Sequence, residues 1–211
     1  MGNGNKAEML IAVCAVISSI AAVYIAWDQA RVMRSQEKAE VWPMIQLTHQ
    51  TDVDKDTSSY TFHIQNAGVG PALIDTYAVR IPGTEQTQDL RQMVRYLMPE
   101  SIGEPAWANT NINGRVLRQG DELLAVRGMW DSSDETTAAI QSRIQEYVSG
   151  GREPAEVFVC YCSILEDCWV STTMASNPRP YPVKSCDDID RAVQQLAPVK
   201  RTLTPEKVPA Q

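Results

Sequence analysis

The 211-residue chain contains only two histidines, two phenylalanines and no basic stripe. Its 26 acidic residues outnumber its 19 basic ones, which gives a formal net charge of −7. Because nucleic-acid binding depends on clustered lysine and arginine at the phosphates, this balance argues against nucleic acid as a partner. Glycine and proline, at 11 and 12 residues, are close to average usage, which excludes a collagen-like or low-complexity chain.

The sequence also lacks the short motifs of common catalytic sites. There is no Gly-x-Ser-x-Gly elbow and no phosphate-binding glycine loop that ends in lysine. A cysteine nucleophile needs a base within reach, and no short motif ties His49 or His63 to a cysteine. We therefore expect a non-enzymatic protein without a catalytic site, a cofactor or a metal.

A long apolar run near the N-terminus is the clearest feature that is present. Residues 9–27 are nineteen residues without a charge, and a helix of that length spans about 28 Å, close to one hydrocarbon core. Signal peptides usually have ~7–15 apolar residues before a small-residue cleavage site, and here the site is weak. We predict an uncleaved transmembrane helix at 9–27, after an N-terminal tail at 1–8.

Small residues mark one face of this predicted helix. Ser18, Ala22 and Ala26 lie four residues apart, and small residues at this spacing let two membrane helices approach closely. The face predicts self-association or docking on a helix of a larger membrane complex. The alternative is that alanine and serine are merely common in spanning helices.

Two features disagree about the side of the membrane on which the remaining chain lies. Lys6 precedes the apolar run, whereas Arg31, Arg34 and Lys38 follow it, which by the positive-inside rule favours the cytoplasm. Four cysteines later in the chain suit two disulfides and hence an oxidising compartment. We predict a cytoplasmic domain at the bacterial inner membrane, with a periplasmic domain as the alternative.

The remaining chain predicts a mainly β domain on a helical stalk. Residues 28–40 contain no helix breaker, so they extend the spanning helix until Pro43 ends it. Across 41–183, about seven short stretches with alternating polarity are separated by glycine and proline, which favours an antiparallel β-sandwich. A short helix and a polar tail are predicted for 184–211.

Two helices are expected as insertions between the strands. Leucine and methionine at helical spacing predict one helix at 85–98. Ser132 and Glu135 fit a capping box for the second, and Gly150 with Gly151 provides its end. The polar stretch 51–59 is predicted as a loop, and 101–114 as irregular.

Cys160, Cys162, Cys168 and Cys186 form the cluster most able to carry chemistry. Cys160 and Cys162 point to the same face of one predicted strand, and Cys168 lies on the returning strand of a hairpin. Disulfides, structural zinc and buried free thiols are all open, although Cys-x-Cys matches zinc ligation poorly. The cluster supports an alternative function, a cysteine-dependent membrane-tethered enzyme or redox protein.

Trp107 and Trp130 are candidate interface residues because both lie in or beside predicted irregular segments. Tryptophan is enriched at the energetic centres of protein interfaces. A position in the core is the alternative for each of them.

Three stretches carry a resemblance to known sequences. They are 41–43 (VWP) after the stalk, 66–72 (NAGVGPA) after an alternating strand, and the hairpin at 160–169. From Met9 to about Met174, the chain resembles uncharacterised bacterial single-pass membrane-anchored proteins with a β-rich, immunoglobulin-like domain. The resemblance implies an anchored β-rich domain and brings no catalytic residues. We expect an interaction module whose partners are the bilayer and another protein or a second copy.

Overall fold

The computed structural model describes residues 4–173 and 179–196, and the chain divides into two units between Trp42 and Pro43. The first unit is one uninterrupted helix, α1 (Gly4–Glu40). Its segment Glu8–Glu40 is long and apolar enough to cross a membrane, and a signal sequence near an N-terminus has the same properties.

The second unit contains nine strands and three α-helices among its described residues. Its strands are β1 (Ile45–Val53), β2 (Thr57–Asn66), β3 (Ala72–Arg80), β4 (Ala106–Asn109), β5 (Arg115–Leu117), β6 (Glu122–Asp131), β7 (Glu156–Cys162), β8 (Cys168–Thr172) and β9 (Tyr181–Val183). Its helices are α2 (Leu90–Leu97), α3 (Asp134–Val148) and α4 (Ile189–Leu196), with 3-10 turns at Glu100–Ile102 and Cys186–Asp188. The predicted polar tail at 200–211 and Met174 lie outside the described residues.

The strands form two antiparallel sheets, as the alternating pattern predicts. The first sheet has the order β1-β2-β6-β4 and the second β5-β3-β7-β8-β9. Both sheets contribute to one apolar core, for example through Phe62 and Val126 from the first and Val79 and Val157 from the second. Burial of this alternating apolar set supplies the main driving force for the sandwich-like arrangement.

The prediction that the chain is mainly β is wrong, because helix makes up 38% of it and strand 33%. Helix α1 alone has 37 residues, and α3 has 15. The inserted helices belong to the core, since Met93 and Val94 of α2 and Ile140 of α3 are buried in it. The fold is therefore a mixed, sandwich-like arrangement of two sheets and helices.

Two segments for which the sequence predicts loops contain strands. The first is 51–59, where Val53 pairs with Ser58 and only residues 54–56 turn the hairpin. The second is 101–114, where Ala106–Asn109 pairs with β6. Both β1 and β4 lie at sheet edges, where one face meets water and polar side chains are tolerated.

Side-chain caps set the start of both inserted helices. Helix α2 begins directly after Asp89, whose carboxylate accepts a hydrogen bond from the Arg91 N–H at 2.9 Å. Helix α3 is capped by Ser133 rather than by the predicted Ser132. The predicted end of α3 is confirmed, because Gly150 adopts a φ of +74° that favours glycine.

The turn after β2 is held by the buried side chain of Asn66. Its Oδ1 accepts hydrogen bonds from the N–H groups of Met44 and Gly68, at 3.2 and 3.0 Å. Its Nδ2 donates to the carbonyls of Gly70 and Leu117, at 2.7 and 3.0 Å. The amide thus uses all of its hydrogen-bonding capacity and joins the start of β1, the turn and the end of β5.

A second, smaller core lies between the second sheet and α4. Helix α4 contributes an apolar face, which is typical of a helix that docks on a sheet. The buried members are Ala78, Phe158, Cys160, Cys168, Val170, Cys186, Ile189, Ala192 and Val193.

Candidate functional site

The four cysteines of the second unit form two disulfides, one of the three states that the sequence leaves open. Cys162 and Cys168 face each other across β7 and β8 and are bonded, with their Cα atoms 4.0 Å apart. Cys160 is bonded to Cys186, with a Cα separation of 5.6 Å. Cys14, in α1, is free.

The two disulfides lie against each other and anchor the C-terminal helix. The Sγ atoms of Cys162 and Cys186 are 3.8 Å apart, and the sulfurs of Cys162, Cys168 and Cys186 lie within 4.8 Å of one another. Sulfur in a disulfide is not the thiolate that zinc requires, so this cluster is not a zinc site as it stands. The bond from Cys160 to Cys186 fastens the start of α4 to β7.

The small-residue face of α1 is exposed along the helix. Ser18 donates its hydroxyl hydrogen to the carbonyl of Cys14 at 2.8 Å, so this bond stays within one helix. Ala22 and Ala26 are exposed. Self-association or docking through this face therefore stays a prediction.

The two tryptophans singled out by the sequence have different surroundings. Trp130 is 6% exposed, and its Nε1 donates to the carbonyl of Gly103 at 3.0 Å. The prediction of an interface role for Trp130 is therefore wrong, because the indole packs in the core. Trp107 is half-buried, with the Arg95 guanidinium 5.5 Å from its ring centroid, and its interface role stays a prediction.

An apolar pocket, which no sequence motif indicates, lies between the first sheet and the inserted helices. Its volume is about 570 Å³, within the ~300–1,000 Å³ of small-molecule sites. Strands β1 and β2, helices α2 and α3 and the segment before β7 supply its walls. Its apolar lining consists of Phe62, Met93, Leu97, Met98, Ile144, Val148, Pro154 and Ala155.

Part of the pocket wall is an apolar stripe of α3 that the described residues leave exposed. Ile140, in the middle of the helix, is 1% exposed, whereas Ile144 and Val148 further along are 42% and 77% exposed. The stripe in the sequence is typical of a fully buried face, yet its last two turns are open. Exposed aliphatic side chains beside a pocket are typical of binding surfaces.

The end of α2 is fastened to α3 and to the segment after it. The carbonyl of Tyr96 accepts hydrogen bonds from Arg143 Nη1, Tyr147 Oη and Arg152 Nη2, at 3.5, 3.3 and 3.3 Å. Cationic side chains are favourable at the C-terminal end of a helix. These contacts hold the two helical walls of the pocket together.

Tyr60 is the most deeply buried of the polar residues that line the pocket. The residue is 4% exposed, and its ring stacks on that of His49 with the centroids 6.3 Å apart. Burial, with a smaller effect from Tyr147, raises the pKa of Tyr60, so the hydroxyl stays protonated.

The residues of fixed charge in the pocket wall are already paired. Arg143 Nε lies 3.1 Å from a carboxylate oxygen of Glu146. Glu156 forms an ion pair with Arg80. The fixed charges of the pocket wall are therefore balanced, and its remaining polar side chains include His49, Thr51 and Tyr60.

A protein-family model matches residues 9–162, and its description is Domain of unknown function (DUF8453). The matched range begins within α1 and ends with β7, so it includes the pocket residues of β1, β2, α2 and α3. It contains Cys160 and Cys162 and stops before Cys168 and Cys186. No curated protein matches the chain.

Proposed function

The chain belongs to the family described as Domain of unknown function (DUF8453), and we propose that it is a membrane-tethered, non-enzymatic binding domain. Its proposed binding site is the apolar pocket. The observation that carries this proposal is a cavity of about 570 Å³ with a largely apolar lining and an exposed aliphatic stripe on α3. Filling such a cavity removes apolar surface from water, which is the general driving force for ligand binding.

The proposed tether is α1. Its uncharged run of nineteen residues matches the thickness of one hydrocarbon core. Apolar molecules partition from water into membranes. A tethered domain would therefore work at the boundary where such molecules accumulate, in keeping with the resemblance to bacterial single-pass anchored proteins.

We further propose that the domain lies on the oxidising side of the membrane, which is the periplasmic side in a bacterium. The two disulfides support this placement, because disulfides persist in oxidising compartments and are rare in the cytosol. The opposing charge bias is one lysine before the apolar run against three basic residues after it. That difference of two charges is a small signal for a rule that counts flanking lysine and arginine.

Membrane washing and thiol counting test the tether and the side together. After alkaline carbonate washing, the full chain is expected in the membrane pellet. After denaturation without reductant, a polymer-linked maleimide should modify one thiol, that of Cys14, and after reduction it should modify five. Release into the soluble fraction would refute the tether, and five reactive thiols without reduction would refute the oxidising side.

Photolabelling in membranes tests the binding site. A long-chain alkane that carries a diazirine should label peptides of β2 and α3 in the full chain, with labelling of α1 as the internal reference for bilayer contact. Ala155→Phe places a ring in the pocket and should reduce the β2 and α3 labelling severalfold. Ala106→Phe, at an exposed position of β4, is the matched control. Labelling restricted to α1 would contradict the proposed function.

Thiol–disulfide exchange is a second candidate function, favoured by the 3.8 Å between the sulfurs of Cys162 and Cys186. An external dithiol would reduce the bond from Cys162 to Cys168 to two thiols and itself become a disulfide. The Cys162 thiolate could then attack the Cys186 sulfur and release Cys160 as a thiolate. In a Cys168→Ser variant, mass mapping should find a bond from Cys162 to Cys186, and exclusive recovery of the original bond would contradict exchange.

A further inference from the structure

We propose that the free edge of β1 binds an extended, basic segment of another protein as an added antiparallel strand. The inference rests on the proposed binding function, because the apolar pocket lies on the same stretch of β1 and would take an aliphatic side chain of that segment. Three features carry it, which are the unpaired backbone of the edge, the pocket beside it and the acidic turn at its end.

Strand β1 is a long and regular edge strand. It has nine residues, pairs with β2 without a register shift, and contains neither proline nor lysine. Native edge strands are usually protected from further pairing by shortness, proline, lysine or a bulge. The other edges of the two described sheets have such protection, since β4 has four residues, β5 three, and β9 three with Pro182 in the middle. The edge of β1 is therefore suited to accept another strand.

Even-numbered residues of β1 direct their backbone groups towards β2. Just before the strand, the carbonyl of Met44 accepts a hydrogen bond from the N–H of Ala67 at 2.8 Å. Just after it, the N–H of Asp54 donates to the carbonyl of Thr57 at 2.9 Å. Backbone groups alternate between the two sides of an antiparallel strand, and the register does not shift in between. The N–H and C=O groups of the odd-numbered residues therefore face away from β2.

The outward backbone groups are free in the second half of β1. At its start, Ile45 already uses this edge, because its carbonyl accepts a hydrogen bond from the Ser171 hydroxyl at 2.7 Å. Further along, the N–H and C=O groups of His49, Thr51 and Val53 have no hydrogen bond to any residue within 4–173 or 179–196. His49 and Val53 are exposed, and Thr51 is half-buried. An extended segment opposite these residues would supply the missing donors and acceptors, which is how strand addition gains affinity.

The pocket specifies an aliphatic side chain on the added segment. His49 and Thr51 line the pocket together with Tyr60 and Phe62 of β2. An added strand would lie ~4.8 Å from β1, and its residues directly opposite His49 and Thr51 would point to the same face of the sheet. The largely apolar lining and the exposed Ile144 of α3 favour an aliphatic group there. Pockets for alternate side chains are the usual source of specificity in strand addition.

The turn that ends β1 specifies a basic residue. Asp52, Asp54 and Asp56 are exposed there, with Lys55 as the only basic side chain among them. A lysine or arginine at the N-terminal end of an antiparallel segment would lie beside this turn, and complementary charge gives specificity and faster association. A second copy would not supply that group through its own β1, which contains neither lysine nor arginine, and each chain has a net charge of −7. Charge complementarity therefore favours another protein over a second copy.

A fluorescent peptide, Lys-Arg-Val-Thr-Leu-Thr-Val with blocked ends, tests the inference on the full chain in detergent micelles. We expect saturable binding by fluorescence anisotropy. Methylation of the backbone nitrogens of the first valine and the leucine should raise the half-saturating concentration at least tenfold, because these N–H groups would face β1. Methylation of the two threonine nitrogens, the matched control, should change it less than about twofold. Replacing the lysine and arginine by glutamates should raise it at least about fivefold.

Variants of the two edges of the first sheet locate the peptide. Thr51→Pro removes an outward N–H and leaves the bonds to β2 in place, so it should raise the half-saturating concentration at least about fivefold. Asn109→Pro on β4 is the matched control, because the next N–H, that of Thr110, faces β6 and donates to the carbonyl of Ala125 at 3.2 Å, so that of Asn109 faces away. Val53→Lys, which brings a positive charge to the edge, should weaken binding in the same way and serves if Thr51→Pro does not fold.

The outcomes separate the inference from the function on which it rests. No saturable binding of the peptide, or equal effects of the two methylation patterns, overturns strand addition, while labelling of β2 and α3 by the alkane probe leaves the binding function standing. Loss of the peptide signal and of that labelling together overturns both. A chain that is dimeric in detergent and becomes monomeric through Thr51→Pro would assign the edge to a second copy and overturn the proposed partner.

Discussion

Replacing Asn66 by aspartate should strongly destabilise the second unit, because the side-chain amide of Asn66 makes four hydrogen bonds at the turn after β2. The substitution keeps the shape and the acceptor oxygen that receives the N–H groups of Met44 and Gly68. It replaces the donor Nδ2 by a second oxygen. That oxygen would face the carbonyls of Gly70 and Leu117, which Nδ2 contacts at 2.7 and 3.0 Å.

The expected magnitude follows from those two lost donors. Each buried carbonyl left without a partner costs about 1–3 kcal/mol, and a buried carboxylate adds a desolvation cost. We therefore expect Asn66→Asp to lower the free energy of unfolding by about 4–6 kcal/mol. Since domains are usually stable by only about 5–15 kcal/mol, the variant would be close to unfolding at room temperature.

The pH dependence of this variant gives a further test. Burial and the two carbonyl oxygens should raise the pKa of the introduced carboxyl above the ordinary aspartate value of about 3.9. The protonated acid can donate one of the two missing hydrogen bonds. The deficit relative to the parent chain should thus be smallest below about pH 4 and should grow as the pH rises through the raised pKa.

Urea unfolding of the full chain in detergent, followed by tryptophan fluorescence, measures the effect. Asn109→Asp, at an exposed position of β4, is the matched control and should change the midpoint little. An Asn66→Asp variant within about 1 kcal/mol of the parent would refute the reasoning. A deficit that is independent of pH would show that the introduced carboxyl does not face the two carbonyls.

Three other perturbations have expected outcomes. Replacing Cys160 and Cys186 together by alanine should lower the free energy of unfolding by about 3–4 kcal/mol, because the disulfide closes a loop with a sequence separation of 26. Amide hydrogen exchange should rise first in α4, and unchanged protection of α4 would contradict this expectation. Gly128→Val should lower the free energy of unfolding by about 1–3 kcal/mol through overpacking, because a Cβ at this position would lie 2.9 Å from Cη2 of Trp130. A melting temperature equal to that of the parent would contradict this expectation. Asp89→Ala should cost about 1 kcal/mol at pH 7 through loss of the cap. Burial raises the pKa of Asp89, but the hydrogen bonds and charge of the arginine two positions later lower it further, so the net pKa is lowered. The stability that this carboxylate contributes is present above about pH 4 and is lost as the pH falls through the lowered pKa. The melting temperatures of parent and variant should therefore converge in acid. A constant difference in melting temperature would count against this reasoning.

The two sheets could be predicted where one sheet face is buried and the other is not. Tyr60, Phe62 and Ile64 alternate with more polar residues, and their side chains are buried in the core as that pattern indicates. The end of β1 is too polar for this signal, and β4, with the sequence AWAN, is too short for it. Their pairing with β2 and β6 is set by long-range contacts that the local sequence does not contain.

The cysteine connectivity and the pocket could not be predicted for a related reason. Cys186 reaches Cys160 only because α4 packs on the second sheet, which depends on the whole fold. In the sequence, Tyr60 looks like a core aromatic, and Ile144 and Val148 look like the rest of a buried helix face. Only the assembled structure places the tyrosine in a pocket wall and leaves those two aliphatic residues uncovered.

The position of the disulfides has a consequence for how the chain matures during synthesis. All four paired cysteines lie in the last quarter of the sequence, and four cysteines can pair in three ways. When Cys168 emerges, Cys160 and Cys162 compete for it, while Cys186 follows 18 positions later (186 − 168). Correct pairing then depends on β7 and β8 forming their hairpin early, since that register sets Cys162 opposite Cys168. Cells in which hairpin formation is slower than oxidation would accumulate scrambled isomers, and a disulfide isomerase would raise the yield of the native one.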